Sequence, residues 1–187
     1  MNIKRQLVLM VGTIACATVP SCTTGSAAPT ATSTQAESFS VTSPDFTDGG
    51  DLPVTFTCDG ESLSPSLTWS GEPAGTSEYA VLMDHQPGPD DWHWYWTEWG
   101  IAPDIHSLGA GSTGEGTFGT NSVNAELAYT PPCSKGPGPK TYVITVFALS
   151  STPELPDPAL VDRDTLLDAL ADITLASDSI SATYTRG

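Results

Sequence analysis

Two of the chain's six basic residues, Lys135 and Lys140, share one loop, Pro131-Pro132-Cys133-Ser134-Lys135-Gly136-Pro137-Gly138-Pro139-Lys140. Two readings are open. The lysines either balance charge in a solvated loop, or they form a local positive spot suited to phosphate or carboxylate. A second candidate is Trp92-His93-Trp94-Tyr95-Trp96-Thr97-Glu98-Trp99. As a strand it puts His93, Tyr95, Thr97 and Trp99 on one face, and Trp92, Trp94, Trp96 and Glu98 on the other. Most of these rings are expected in the core, since aromatics carry much of a small domain's burial. A His and a Tyr on one face could also line a pocket, and an exposed Trp row could stack sugar rings. His85 follows a run that ends in Met83-Asp84, and His106 is expected to be a solvated loop histidine.

Other chemistry finds little support. Asp84, His85, Asp90, Asp91 and His93 invite a metal reading, but their spacing matches no established ligand pattern, so neither metal nor cofactor is expected. There is no Gly-x-Ser-x-Gly elbow and no His-Glu-x-x-His. Gly109-Ala110-Gly111-Ser112-Thr113-Gly114 fits Gly-x-Gly-x-x-Gly in form only, because no strand-to-helix context surrounds it. A hydrolase using His85 or His93 as general base stays as an alternative, without an evident nucleophile or orienting partner.

The elements that would position these residues are mostly strands. Thr55-Phe56-Thr57-Cys58, Leu67-Thr68-Trp69 and Glu78 to Met83 are short β-leaning runs separated by Gly, Pro, Ser and Asp. Thr141 to Leu149 is apolar on both faces and therefore belongs in the middle of a sheet. Ile180, Ala182 and Tyr184 alternate inward against Ser181, Thr183 and Thr185. Leu166, Leu167, Leu170 and Ile173 fall at helical spacing, with Asp162 or Asp164 available to cap the first turn. The sum is a mostly β protein, a β-sandwich with one or a few peripheral helices. The connections 105–124 and 129–140 are long for so small a domain, and long loops are more often functional than idle.

The N-terminus addresses the compartment. Met1 to Arg5 is a short basic stretch, followed by an apolar run from Leu7 to Val19, too short for a permanent span. Val19-Pro20-Ser21-Cys22 looks like a lipobox, which makes 1–21 a lipoprotein signal peptide and Cys22 the lipidated (palmitoylated) residue. Ordinary secretion with a chance Cys is the alternative. The Thr-, Ser-, Ala- and Pro-rich stretch up to residue 38 has too little to bury and reads as a disordered tether, leaving 39–187 as one domain. The expected location is the cell envelope outside the cytoplasm, with membrane contact only through the anchor.

Loss of Lys4 and Arg5 with the signal leaves 22 acidic against four basic residues, a net charge of −18. That balance argues against nucleic acid as a partner, because nucleic-acid binding needs a basic footprint. Cys58 and Cys133 remain as an even pair in an oxidising compartment, expected to form a disulfide. Such a bridge would constrain the unfolded chain by about 4 kcal/mol in the loop-entropy account.

Several landmarks together resemble the phosphatidylethanolamine-binding protein family, in its bacterial Raf-kinase-inhibitor-like branch. They are Leu52-Pro53 with Phe56-Thr57-Cys58-Asp59-Gly60, Ser64-Pro65-Ser66-Leu67-Thr68-Trp69, Asp84, His93-Trp94, Gly119-x-Asn121, Pro131-Pro132-Cys133, Tyr142 to Leu149, and Tyr184-x-Arg186. The resemblance implies an antiparallel β-sandwich with a small anion-binding pocket. Onto this chain it carries His85, His93, Tyr95, Pro132, Lys140 and Tyr142 as ligand-binding residues. Where the family usually has Asp-Pro-Asp-x-Pro the stretch here is Asp84-His85-Gln86-Pro87-Gly88-Pro89, with the pocket Asp falling at His85 and the second Asp at Pro87, and the usual His-Arg-Tyr is Lys140-Thr141-Tyr142. A carboxylate becomes His and a His becomes Lys, so the pocket gains positive character. A small anionic ligand or headgroup is the expected partner, with a protein partner as a further option.

Overall fold

The computed structural model describes residues 38–186; the expected signal peptide, Cys22 and almost all of the expected tether lie outside them. Nine strands follow in chain order: β1 (Ser40–Thr42), β2 (Gly50–Asp51), β3 (Leu67–Ser70), β4 (Glu78–Gly88), β5 (Asp91–Ile101), β6 (Ser107–Leu108), β7 (Thr117–Phe118), β8 (Lys140–Leu149) and β9 (Thr174–Tyr184). One helix, α1 (Arg163–Leu170), precedes β9. Strands β1-β3-β6 form a small sheet, and β2-β9-β8-β4-β5-β7 a six-stranded one. Pairing is antiparallel except for the two-residue β2–β9 contact.

The large sheet is the middle layer, which explains why β8 is apolar on both faces. On one side Tyr79, Val81, Met83, Tyr142, Ile144 and Val146 pack with Val41, Leu67, Trp69 and Leu108 of the small sheet. On the other, Ala80, Leu82 and Leu149 pack with Val161, Leu166 and Leu170. Strand β9 alternates as its sequence requires, with Ile180, Ala182 and Tyr184 in the first core.

Three expectations are corrected. The run 55–58 is no strand: Val54–Phe56 forms a 3-10 turn, closed by Phe56 N–H to the Pro53 carbonyl and Thr57 N–H to the Val54 carbonyl, both at 3.0 Å. Pro53 presets its backbone, and Gly60 folds back so closely that a Cβ there would lie 2.1 Å from the Val54 carbonyl oxygen. The helix stops at Leu170, before Ile173. There the Leu170 carbonyl accepts the Ile173 N–H at 3.1 Å and the Thr174 hydroxyl at 2.8 Å. Its other end is capped as expected, the Asp162 carboxylate accepting the Thr165 N–H at 2.8 Å.

The third correction sets up the site. Strand β4 runs five residues past Met83, turning at Pro89-Asp90 into β5. Met83 pairs with Trp96 but Asp84 pairs with Trp94, so Tyr95 is an extra residue on β5. This bulge breaks the period of two. Tyr95 and Trp96 both enter the first core, while Trp94 and Trp99 turn to the helix side. The expected Trp92-Trp94-Trp96-Glu98 face is thereby divided. Trp96 and Trp99 are buried, Trp92 lies under the Arg163 guanidinium at 3.6 Å, and the Trp94 indole donates to the Thr120 carbonyl at 2.9 Å.

Candidate functional site

The extended ends of β4, β5 and β8 come together at one end of the large sheet, where they wall a cleft of ≈ 450 Å³. Strand β4 contributes His85 and Pro87, β5 contributes Asp91, His93 and Tyr95, and β8 contributes Lys140 and Tyr142. The loops between β7 and β8 close the rest, through Ser122 and Val123 and through Cys133, Ser134 and Lys135.

Side-chain order follows from strand register. His85 pairs with His93 across the hairpin, with ring centroids 6.5 Å apart. Its other neighbour is Tyr142, at 5.3 Å, and Tyr142 meets Tyr95 edge-on at 5.3 Å. His85 Nδ1 lies 2.7 Å from the Thr141 carbonyl oxygen. A carbonyl can only accept, so Nδ1 carries the hydrogen and Nε2 is the ring nitrogen left for a ligand. His93 Nε2 approaches Asp91 Oδ1 at 3.5 Å. Burial raises the pKa of Tyr95 and of Tyr142 above the ordinary tyrosine value, so both hydroxyls remain protonated donors at neutral pH.

The loop that carries Lys135 is fixed from the opposite side. Cys58 and Cys133 form a disulfide with Cα atoms 5.2 Å apart, and Cys58 N–H donates to the Pro132 carbonyl at 3.0 Å. Next to the bridge, Asp59 accepts from the Tyr184 hydroxyl and, at 2.7 Å, from Arg186 Nη2. These two donors, Tyr184 foremost, hold the Asp59 carboxyl below its ordinary value. The C-terminal Tyr184-x-Arg186 landmark thus ties the loop to β9.

Of the six residues expected at the pocket, His85, His93, Tyr95, Lys140 and Tyr142 line the cleft together. Pro132 does not: its carbonyl is taken by Cys58, and the next three residues face the cleft instead. The Asp/His group considered for metal is split between faces, because Asp84 points toward α1 and pairs with Arg163 Nε at 2.7 Å. Among the described residues no three His, Cys, Asp or Glu side chains converge as metal ligands. His106 is exposed, as expected of a loop histidine, but it has partners: its Nε2 lies 3.4 Å from Glu72 and its ring packs against Tyr79.

Sequence reasoning missed Ser122, Val123 and Ser134 as cleft residues, and weighed Asp91 only as a metal ligand. Asp91 was recoverable from the hairpin, since any turn at Pro89-Asp90 places it beside His93. Ser122 had no such signal. It reaches the cleft because its hydroxyl bonds the Trp94 backbone twice, at 2.9 Å each way.

Lys135 and Lys140 face a single cleft carboxylate, Asp91, so with neutral imidazoles the cleft carries +1 in a chain of net −16. The chemistry on offer is recognition of an anion by ammonium, imidazole and hydroxyl donors.

Comparison with known proteins agrees with this architecture. A family model described as phosphatidylethanolamine-binding protein matches residues 42–185. A Mycobacterium tuberculosis protein named as a lipoprotein, LppC, is 34% identical over 139 residues, covering 74% of this chain and 68% of its own. Escherichia coli YbcL, whose crystal structure is described as that of a new member of the mammalian PEBP family, superposes with a TM-score of 0.73 at 25% identity, over 81% of this chain and 100% of its own. The Chlamydia trachomatis homologue CT736 shares the fold, with a TM-score of 0.74 at 22% identity, over 80% and 99% of the two chains.

Proposed function

Because the chain belongs to the phosphatidylethanolamine-binding protein family, we propose that it is a lipid-anchored envelope module that binds a small anionic group, phosphate or carboxylate, in the β4-β5-β8 cleft. The observation that carries this reading is the convergence of Lys135, Lys140, His85 and His93 on one cleft in a strongly acidic chain. Lys140 supplies fixed charge, His85 Nε2 and His93 supply ring nitrogens, and the Tyr95 and Tyr142 hydroxyls donate without ionising. Protonation of either imidazole adds attraction for an anion, and Asp91 opposes it. Cys22 is the proposed anchor, with residues 23–38 as the tether and 39–187 as the binding domain; the lipoprotein name of the mycobacterial relative supports that part.

The test is thermal unfolding of the purified protein against phosphates, carboxylates and neutral sugars. A ligand that binds only the folded state raises the midpoint with its occupancy. Anions are expected to raise it and Lys140→Ala to abolish the rise; an equal rise in the variant would refute the assignment. Phosphoester turnover lost in His93→Ala would move the protein to the hydrolase alternative. Saturable, salt-insensitive stabilisation by neutral sugars would move it to glycan binding.

A further inference from the structure

Ser134 stands at the cleft wall between the bridged Cys133 and Lys135. The residue is 5% exposed, and its hydroxyl has no hydrogen-bond partner among the described residues. The Tyr142 hydroxyl is its candidate partner, and against the larger rise from burial a hydrogen-bond-type interaction with Ser134 lowers that tyrosine's pKa, but the pair falls outside full hydrogen-bond geometry. An unpaired buried hydroxyl is costly, and folded proteins pair the large majority of them. Ser64 Oγ, Trp69 Nε1 and Tyr79 OH are also unpartnered, but none of these lines the cleft. Ser134 differs in opening onto a cavity that already gathers Lys135, Lys140 and the free nitrogen of His85.

We propose that the Ser134 hydroxyl is a specificity-determining donor, which hydrogen-bonds one oxygen of an oxyanion held by the lysines and so favours oxyanions over monatomic anions. The proposal rests on the anion-site reading above. An ammonium is a compact point charge with rotatable donors and discriminates weakly by shape. A single hydroxyl on a fixed backbone is directional, and a hydrogen bond to a charged acceptor is the stronger kind. The backbone here is fixed: the disulfide holds Cys133, the Pro132 carbonyl is bonded to Cys58, and Arg186 Nη1 lies 3.5 Å from Cys133 Sγ. Pairing with a bound oxygen would also satisfy this buried hydroxyl, which has no partner among the described residues.

The experiment is calorimetric titration of the full chain with inorganic phosphate at constant ionic strength, with chloride as competitor. Wild type, Ser134→Ala and Lys140→Ala are compared, and ligand-free unfolding midpoints are recorded for each. Ser134→Ala is expected to weaken phosphate about 10-fold or more, to leave chloride competition unchanged, and not to lower the ligand-free midpoint. Phosphate affinity within twofold of wild type would overturn the proposal. So would a lowered ligand-free midpoint, which would assign the hydroxyl to structure. If wild type binds and Lys140→Ala does not, while Ser134→Ala binds normally, only the Ser134 role fails. If wild type shows no saturable phosphate binding, the anion site fails with it.

Discussion

Glu98 is 1% exposed, on β5, where it accepts the Trp96 indole N–H at 2.7 Å. Burial, with the nearby Glu115 carboxylate adding repulsion, pushes its carboxyl up to about 7. The folded state therefore binds a proton that the unfolded chain, at an ordinary carboxylate value, releases earlier. The stabilisation from this proton is fully present below the ordinary value of 4.5 and is lost as pH rises through about 7. Its size is on the order of 3 kcal/mol. Denaturant unfolding between pH 4.5 and 7.5 should show a decline of that order, and Glu98→Gln should flatten it while keeping the indole bond. An unchanged slope in the variant would put the titrating group elsewhere. Nothing in the sequence marked this residue. It was placed by alternation opposite His93, and it is covered closely by Gly116, where a Cβ would lie 2.9 Å from Glu98 Oε1.

At the scale of elements, the site depends on two fasteners. The first is the disulfide between the turn after Val54–Phe56 and the Lys135 loop. Cys58→Ser with Cys133→Ser should cost about 2–5 kcal/mol in denaturant unfolding and should weaken anion binding by loosening Ser134 and Lys135; binding unchanged in the folded variant would show that the loop needs no bridge. The second fastener joins β4 to α1. Asp84 and Arg163 have side chains 12% and 13% exposed, and burial raises the Asp84 carboxyl despite the guanidinium beside it. Arg163→Ala strands that carboxylate and uncovers Trp92, so a loss of roughly 3–5 kcal/mol is expected in equilibrium unfolding; a loss below 1 kcal/mol would mean that water already serves Asp84.

Elements were legible in proportion to their regularity. Strands β8 and β9 and the α1 cap follow from side-chain period and one capping Asp, so their faces are readable directly. The pocket residues Lys140 and Tyr142 sit where the unbroken β8–β9 register carries them, and His85 where β4 continues just past its last pairing with β8. What escaped were the features that break a period: the Tyr95 bulge, the 3-10 turn behind Pro53, and loop residues such as Ser122, whose position is set by backbone bonds made 28 residues away.

For the whole molecule, the charge distribution makes the anion reading demanding. The cleft must attract an anion against the repulsion of a chain that is −16 overall, and surface fields of that kind are screened over about 8 Å at physiological salt. Anion affinity is therefore expected to depend weakly on ionic strength, and association to speed up when salt screens the acidic exterior; a steep fall of affinity with salt would instead indicate a diffuse surface site. The proposed anchor has its own test. Cys22→Ser should shift the protein from the membrane fraction to the soluble fraction, and an unchanged distribution would remove the lipid anchor from the account.

The most direct test of the cleft as an anion site is a phosphate titration followed by NMR through the histidine ring and tryptophan indole signals. Saturable shifts at His85 and His93, absent in Lys140→Ala, with His106 and the Trp96 indole unmoved, are the predicted result. Saturable shifts confined to the tryptophans or His106, or none at all, would contradict it.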